Sequence, residues 1–176
     1  MKVAVAIAEF LRDAGIRHVF TISGGADLHI IHAIADTQGI DYVCPQTEQA
    51  ASFAADAYAR VNGIGCALAT SGPGATNLVT GIAASYYDSV PVLYLTGNVT
   101  TFRMAARLCP ANAPRQYGFQ ETPIVAMVRE VTKHAEMVLT PGRVLPALRD
   151  AVRIMRFNRP GPVLVDVPDD VQRADL

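Results

Sequence analysis

Glu48 is the residue whose type and placement most suggest chemistry. It falls between a strand-like segment, Asp41-Tyr-Val-Cys44, and the first turn of a helix built almost entirely of small side chains. A carboxyl group held there could give or take a proton. The plainer reading is a first-turn glutamate favoured by the helix dipole, worth a few tenths to about 1 kcal/mol. Ser71-Gly-Pro-Gly-Ala-Thr-Asn77 is a glycine-rich turn between a strand and a helix, a place where backbone N–H groups can hold an anion. It contains neither GxGxxG nor a lysine-bearing Walker loop, and Pro73 removes a donor, so a structural turn is the better of these two readings. Ser23-Gly24-Gly25 and Gly97-Asn98 also follow strand-like runs, and two glycines without Cβ atoms let backbone approach a ligand closely. His29 and His32 stand one helical turn apart, but no further ligands complete a zinc site, which favours packing or surface roles. Lys133-His134 and the basic residues from Arg143 to Arg159 alternate with apolar positions and read as solvated faces.

The elements that must position these residues follow from periodicity. Val3, Ile7, Phe10 and Leu11, with Gly15 beyond them, have the spacing of an amphipathic helix stopped by glycine. A buried strand is expected over 17–22, a helix through Leu28, Ile31 and Ile34 to Gly39, and a strand over 41–44. The alanine-rich stretch 47–60 predicts a helix closing at Asn62-Gly63. Then come a strand over 65–70, a tight loop over 71–74, a helix over 75–87 and a strand over 90–96. Between 98 and 119 the pattern fails, with Pro110 and Pro114 among small and polar residues, and a surface loop or short helix is expected. A helix over 122–130, a strand over 133–139, a helix over 141–157 and a strand over 161–167 complete the series. Strands alternating with helices through short loops predict an α/β fold of three layers, a mainly parallel sheet with helices on both faces. In such a sheet ligands sit beyond the carboxyl ends of the strands, where the four loops named above lie.

With 176 residues and no repeat or linker, one domain is expected. Apolar residues make up 51% of the chain, enough to build a core and to exclude wholesale disorder. Fifteen basic residues balance sixteen acidic ones, so no strong field draws nucleic acid or an anionic membrane. No apolar run approaches the roughly 18 residues that would span a bilayer. Cys44, Cys66 and Cys109 form neither a disulfide framework nor a zinc knuckle, and with no signal-peptide core at the start a cytoplasmic location is expected.

Six ordered stretches resemble one family. They are Glu48-Gln-Ala-Ala with Ala54-Ala-Asp-Ala-Tyr-Ala-Arg60; Ala69-Thr-Ser-Gly-Pro-Gly-Ala-Thr-Asn-Leu-Val-Thr-Gly-Ile82; Asp88-Ser-Val-Pro91; Phe119-Gln-Glu121; Thr132-Lys-His134; and Arg159-Pro-Gly-Pro-Val-Leu-Val-Asp-Val-Pro168. Together they are similar to the N-terminal pyrimidine-binding (PYR) domain of thiamine-diphosphate-dependent enzymes of the acetohydroxyacid (acetolactate) synthase type. The likeness runs from Phe10 to Gln172. It implies that Glu48 hydrogen-bonds the ring nitrogen of the cofactor's aminopyrimidine and promotes the imino tautomer that removes the thiazolium C2 proton. Gly24, Gly25, Pro73, Asn77 and Asn98 match positions lining the cofactor pocket, and Phe119 and Gln120 match a pair near the substrate end. A carboxyl in a poorly hydrated pocket suits that role, while the decarboxylation chemistry belongs to the cofactor. Departures from the family pattern are Asn98 for a more usual glutamine, Ser23 for proline, Thr47 for histidine, and a longer segment from Arg103 to Tyr117.

The same resemblance implies a partner. The chain has no Gly-Asp-Gly followed by an asparagine two or three dozen residues on, which is how the family's magnesium and diphosphate site is marked. Residues 1–176 are therefore expected to form a single PYR-type domain. Its thiamine diphosphate would be completed, with magnesium, by a diphosphate-binding (PP) domain in a longer chain or a separate subunit. A homodimer or higher oligomer acting on a small 2-oxo acid is implied. The alternatives are the alpha subunit of a two-subunit 2-oxo acid decarboxylase, or a non-catalytic scaffold or regulatory module of the same fold.

Overall fold

The computed structural model describes residues 1–104 and 114–176. Its six described strands, β1 (His18–Thr21), β2 (Asp41–Val43), β3 (Gly65–Ala69), β4 (Val92–Asn98), β5 (His134–Met137) and β6 (Val163–Pro168), form one sheet in the order β2-β1-β3-β4-β6-β5. Every pairing is parallel, with Phe20 opposite Ala67, Ala67 opposite Tyr94, and Thr96 opposite Asp166. This is the expected three-layer α/β fold. The chain moves outward from β1 to the edge strand β2, then crosses back to β3 on the other side of β1. That reversal opens a crevice beyond the carboxyl ends of β1 and β3, where open α/β sheets bind ligands.

Side chains alternate across the central strands because the period of a strand is two. Leu93 and Leu95 of β4, with Cys66 and Leu68 of β3, face one core, where α1 (Val3–Asp13), α2 (Leu28–Asp36) and α7 (Val144–Arg156) contribute Ile7, Leu11, Ile34 and Leu148. Tyr94, Ala67 and Ala69 face the other. There α3 (Glu48–Asn62), α5 (Val79–Tyr87) and α6 (Ile124–Val128) supply Ala55, Ala59, Ile82 and Ile124. Each fully buried leucine or isoleucine among them contributes about 1.5–3 kcal/mol relative to leaving it exposed. On the second side the helices come unusually close. A Cβ on Gly81 of α5 would overlap Ser52 of α3, and one on Gly65 would overlap the backbone of Ala55.

Several boundaries differ from the sequence expectation. The loop expected over 71–74 ends early, and α4 (Pro73–Asn77) begins at the proline and gives way to α5 around Leu78. Proline at the first helical position has its φ already set, and Gly72, at φ +63°, makes the turn before it. Strand β4 starts two residues later than expected, since Pro91 carries no N–H for the ladder, and ends two residues later because Gly97 and Asn98 still pair with Val167 and Pro168 of β6. The expected helix over 122–130 is an α-turn followed by a 3₁₀ turn, Arg129–Val131. A 3₁₀ turn at Thr101–Arg103 lies within the segment where regularity fails, and much of that segment, including Cys109 and Pro110, lies outside the described residues. A short helix, α8 (Asp169–Arg173), was not anticipated; Asp169 and Asp170 occupy its first turn, where the helix dipole favours them. No helix among the described residues is long and apolar enough to cross a membrane.

Candidate functional site

Thr70, just beyond β3, is the hub of the crevice. A Cβ on Gly24 would overlap the Thr70 side chain, so the turn after β1 can lie against it only as glycine. The Thr70 hydroxyl accepts a hydrogen bond from Ala26 N–H at 3.1 Å. A Cβ on Gly74 would lie 2.7 Å from Thr70 Cγ2 and 3.4 Å from Glu48 Oε1. Gly24 from the turn after β1, Gly74 from α4 and Glu48 from the start of α3 are thus drawn together around one threonine.

Glu48 opens α3. Its neighbour Thr47 has extended backbone and caps the helix, its hydroxyl accepting from Ala50 N–H at 3.1 Å. Asn77, from the last turn of α4, donates its Nδ2–H to Glu48 Oε2 at 3.0 Å. Glu48 Oε1 has no hydrogen bond among the described residues and lies at the lip of the Gly74 backbone. The carboxyl is only half-buried and Asn77 is exposed. The poorly hydrated pocket expected around Glu48 is therefore not closed by the described residues.

The remaining expected residues gather beside this point. Gly25, Asn98, Phe119 and Gln120 line a cavity of about 230 Å³ together with Thr70, Ser71, Arg103 and Asp169. Gln120, at φ +58°, packs over Gly72, whose missing Cβ leaves room for it. Phe119 is largely exposed, and Pro73 sits on the surface between the two groups of residues. Asn98 is buried with both polar ends engaged: Nδ2–H donates to Asp166 Oδ2 at 2.7 Å, and Oδ1 accepts from Val99 N–H at 2.8 Å. Thr96 Oγ1–H donates to Asp166 Oδ1 at 2.8 Å. Burial pushes the Asp166 carboxyl up to about 6, against the pull of Asn98 and Thr96.

Asp27, Thr70 and Asp166 were not singled out from sequence. Asp27 precedes α2 and has the residue type of an ordinary helix cap, yet it is fully buried, with Oδ1 accepting from Gly24 N–H at 2.8 Å. Burial, and then the charge of Glu48, push it up to about 7, while backbone N–H groups pull the other way. The two histidines do not converge: His29 faces Asp169 at 3.3 Å and His32 faces Asp36 at 3.4 Å. A wider groove of about 730 Å³ between α1 and α2 carries none of the strand-end loops.

Residues 1–127 match the family described as thiamine pyrophosphate enzyme, N-terminal TPP binding domain. Acetolactate synthase 2, chloroplastic, of Nicotiana tabacum is 42% identical over 168 residues, 95% of this chain and 24% of that protein. Acetolactate synthase of Arthrospira platensis is 41% identical across 98% of this chain and 29% of its own length. The acetolactate synthase large subunit of Haemophilus influenzae is 41% identical across 93% and 27%. The chain thus spans about a quarter of the length of these curated relatives. The residues around Thr70 suit the aminopyrimidine end of such a cofactor. A carboxyl with one unengaged oxygen stands in the same crevice as Gly25. The space a Cβ would take is filled by Thr70 at Gly24 and Gly74 but is open at Gly25, where backbone can approach a flat ring. On a match that takes in well over half its length, the chain belongs to the family of thiamine pyrophosphate enzyme N-terminal TPP-binding domains, and within it is similar to the acetolactate synthases.

Proposed function

We propose that residues 1–176 form the pyrimidine-binding (PYR) domain of a thiamine-diphosphate-dependent 2-oxo acid decarboxylase or carboligase of the acetolactate synthase type. The observation that carries this reading is the Glu48 carboxyl, oriented through one oxygen by Asn77 and clear at the other beside Gly74. Glu48 holds the proton it shares with the pyrimidine ring nitrogen, and Asn77 fixes the plane of the carboxyl. Gly24, Gly25 and Pro73 bound the ring with backbone and a rigid proline. Asn98, tied to Asp166, shapes the floor of the neighbouring cavity, and Phe119 with Gln120 meets a small 2-oxo acid there. With thiamine diphosphate bound, the site gains an electron sink for decarboxylating and coupling 2-oxo acids.

The diphosphate and its magnesium are held by a PP domain, in the same longer chain or another subunit; the length of the relatives supports the former. A homodimer or higher oligomer is supported by exposed apolar side chains next to Glu48 in the chain: Tyr42 and Val43 on the edge strand β2, Phe53 and Val61 on α3. Exposed apolar surface of this kind marks association sites. Cys44 is exposed and has no disulfide among the described residues, which suits a cytoplasmic setting. The test is to incubate the complete protein with thiamine diphosphate, magnesium and a series of small 2-oxo acids, following carbon dioxide release. Cofactor-dependent turnover of at least one acid is expected. No turnover, with no rise in thermal midpoint on adding the cofactor, would refute the reading.

A further inference from the structure

Behind the crevice lies a second carboxyl for which the proposed function has no use. Asp27 is fully buried at the start of α2. One oxygen holds Gly24 N–H at 2.8 Å, and the other, Oδ2, is buried without a hydrogen-bond partner among the described residues. A carboxyl is costly to bury in charged form, and an unmatched oxygen in a native interior calls for a functional or structural explanation. The groups packed around it are otherwise neutral. Thr70 binds Ala26 N–H, and Gly97 of β4 lies against the Ala26–Asp27 backbone. From α8, the Gln172 amide donates to the carbonyls of Ala26 and Val167. Among the nearby charged groups, His29 on α2 is turned to Asp169 on α8, and Asp166 on β6 is held by Thr96 and Asn98. Glu48 is the charged group that acts on Asp27, and it acts to keep Asp27 protonated.

We propose that Asp27 is a positioning carboxyl of the cofactor site: its Oδ1 pins the Gly24 turn against Thr70, and its charge governs how firmly Glu48 keeps the proton it shares with the cofactor. The proposal rests on the reading of Glu48 given above. Asp27 holds Gly24, Gly24 lies against Thr70 where a Cβ would overlap it, and Gly74 lies between Thr70 and Glu48 where a Cβ would meet both. With Asp27 pushed up to about 7, its own charge changes near neutral pH. Once Asp27 ionises, its negative charge favours the protonated form of Glu48, which extends proton sharing to higher pH.

The test uses the complete protein and Asp27→Asn, which keeps an acceptor for Gly24 N–H but cannot ionise. Thiamine diphosphate is titrated calorimetrically at pH 7 in two buffers of different ionisation enthalpy, giving the protons exchanged on binding. A difference of about 0.3 proton or more between wild type and variant is expected. The alkaline limb of the kcat/KM profile is expected to move to lower pH by about half a unit or more. A residue with only a packing role would change affinity without changing the proton count. If Asp27→Asn does not fold, Asp27→Ser makes the same comparison with a shorter acceptor. Identical proton counts and superimposable pH profiles, beside an inactive Glu48→Gln, would overturn the proposal alone. An active Glu48→Gln would overturn the reading of Glu48 and the proposal with it.

Discussion

What separates Glu48 from an ordinary first-turn glutamate is the division of labour between its two oxygens, one engaged by Asn77 and one left beside Gly74. The sharpest residue-scale prediction concerns the clearance itself. In Gly74→Ala the new Cβ meets Thr70 Cγ2 and approaches Glu48, so the affinity of the complete protein for thiamine diphosphate should fall by about tenfold or more. Adding Thr70→Ser removes the Cγ2 atom and should recover part of that loss, measured as a double-mutant cycle. A recovery of nothing would mean the loss came through helix α4 and not through the clearance. A second prediction concerns pH. Asp27 and Asp166 are both raised, to about 7 and about 6, from an ordinary value near 4. A group whose folded value is raised stabilises the fold fully below the unfolded value and loses that stabilisation as pH rises through the folded one. Carboxylates held low, such as Glu136 beside Arg143, have already reached their full contribution by pH 5. The urea midpoint should therefore fall between pH 5 and pH 8, and Asp27→Asn should flatten that fall. Glu48 stood out in the sequence as the carboxyl between a strand and a small-residue helix, but local features alone favoured an ordinary first-turn glutamate, and only the family resemblance implied a role at the cofactor. Asp27 did not stand out, because an aspartate before a helix looks like a cap whether it is exposed or buried.

Elements with strong punctuation were legible as well. Helix α1 ends where Gly15 takes φ +93°, and α3 is bracketed by the Thr47 cap and by Gly63 at φ +80°. The start of α4 was not legible, because Ser-Gly-Pro-Gly has the composition of a turn and only the φ of Gly72 shows that the turn is over before Pro73. Helix α8 has five residues, too few to show a helical period. The close approach of α3 to α5 makes a prediction at this scale. Gly81→Val should force the helices apart around Ser52 and cost about 1–3 kcal/mol, read from the urea midpoint. The Thr96–Asp166–Asn98 cluster makes another. Asp166→Asn sets an amide against the amide of Asn98 or the hydroxyl of Thr96, leaving a buried donor unmatched. It should cost about 1–3 kcal/mol, where a mere loss of charge would cost nothing.

At the scale of the molecule, Glu48 is half-buried and β2 and α3 carry exposed apolar side chains, and the proposed oligomer would cover such a face. Phe53 is 44% exposed and lies five residues along the helix that Glu48 opens. Phe53→Asp should shift the complete protein toward monomer in sedimentation and weaken thiamine diphosphate binding together. Loss of neither would place the covering surface elsewhere. The central claim, that Glu48 serves the cofactor's pyrimidine as a proton-sharing group, is tested most directly by the turnover of Glu48→Gln in the complete protein under saturating thiamine diphosphate. The variant should fold and lose about 10²-fold to 10⁴-fold in kcat. Turnover within threefold of wild type would contradict the account.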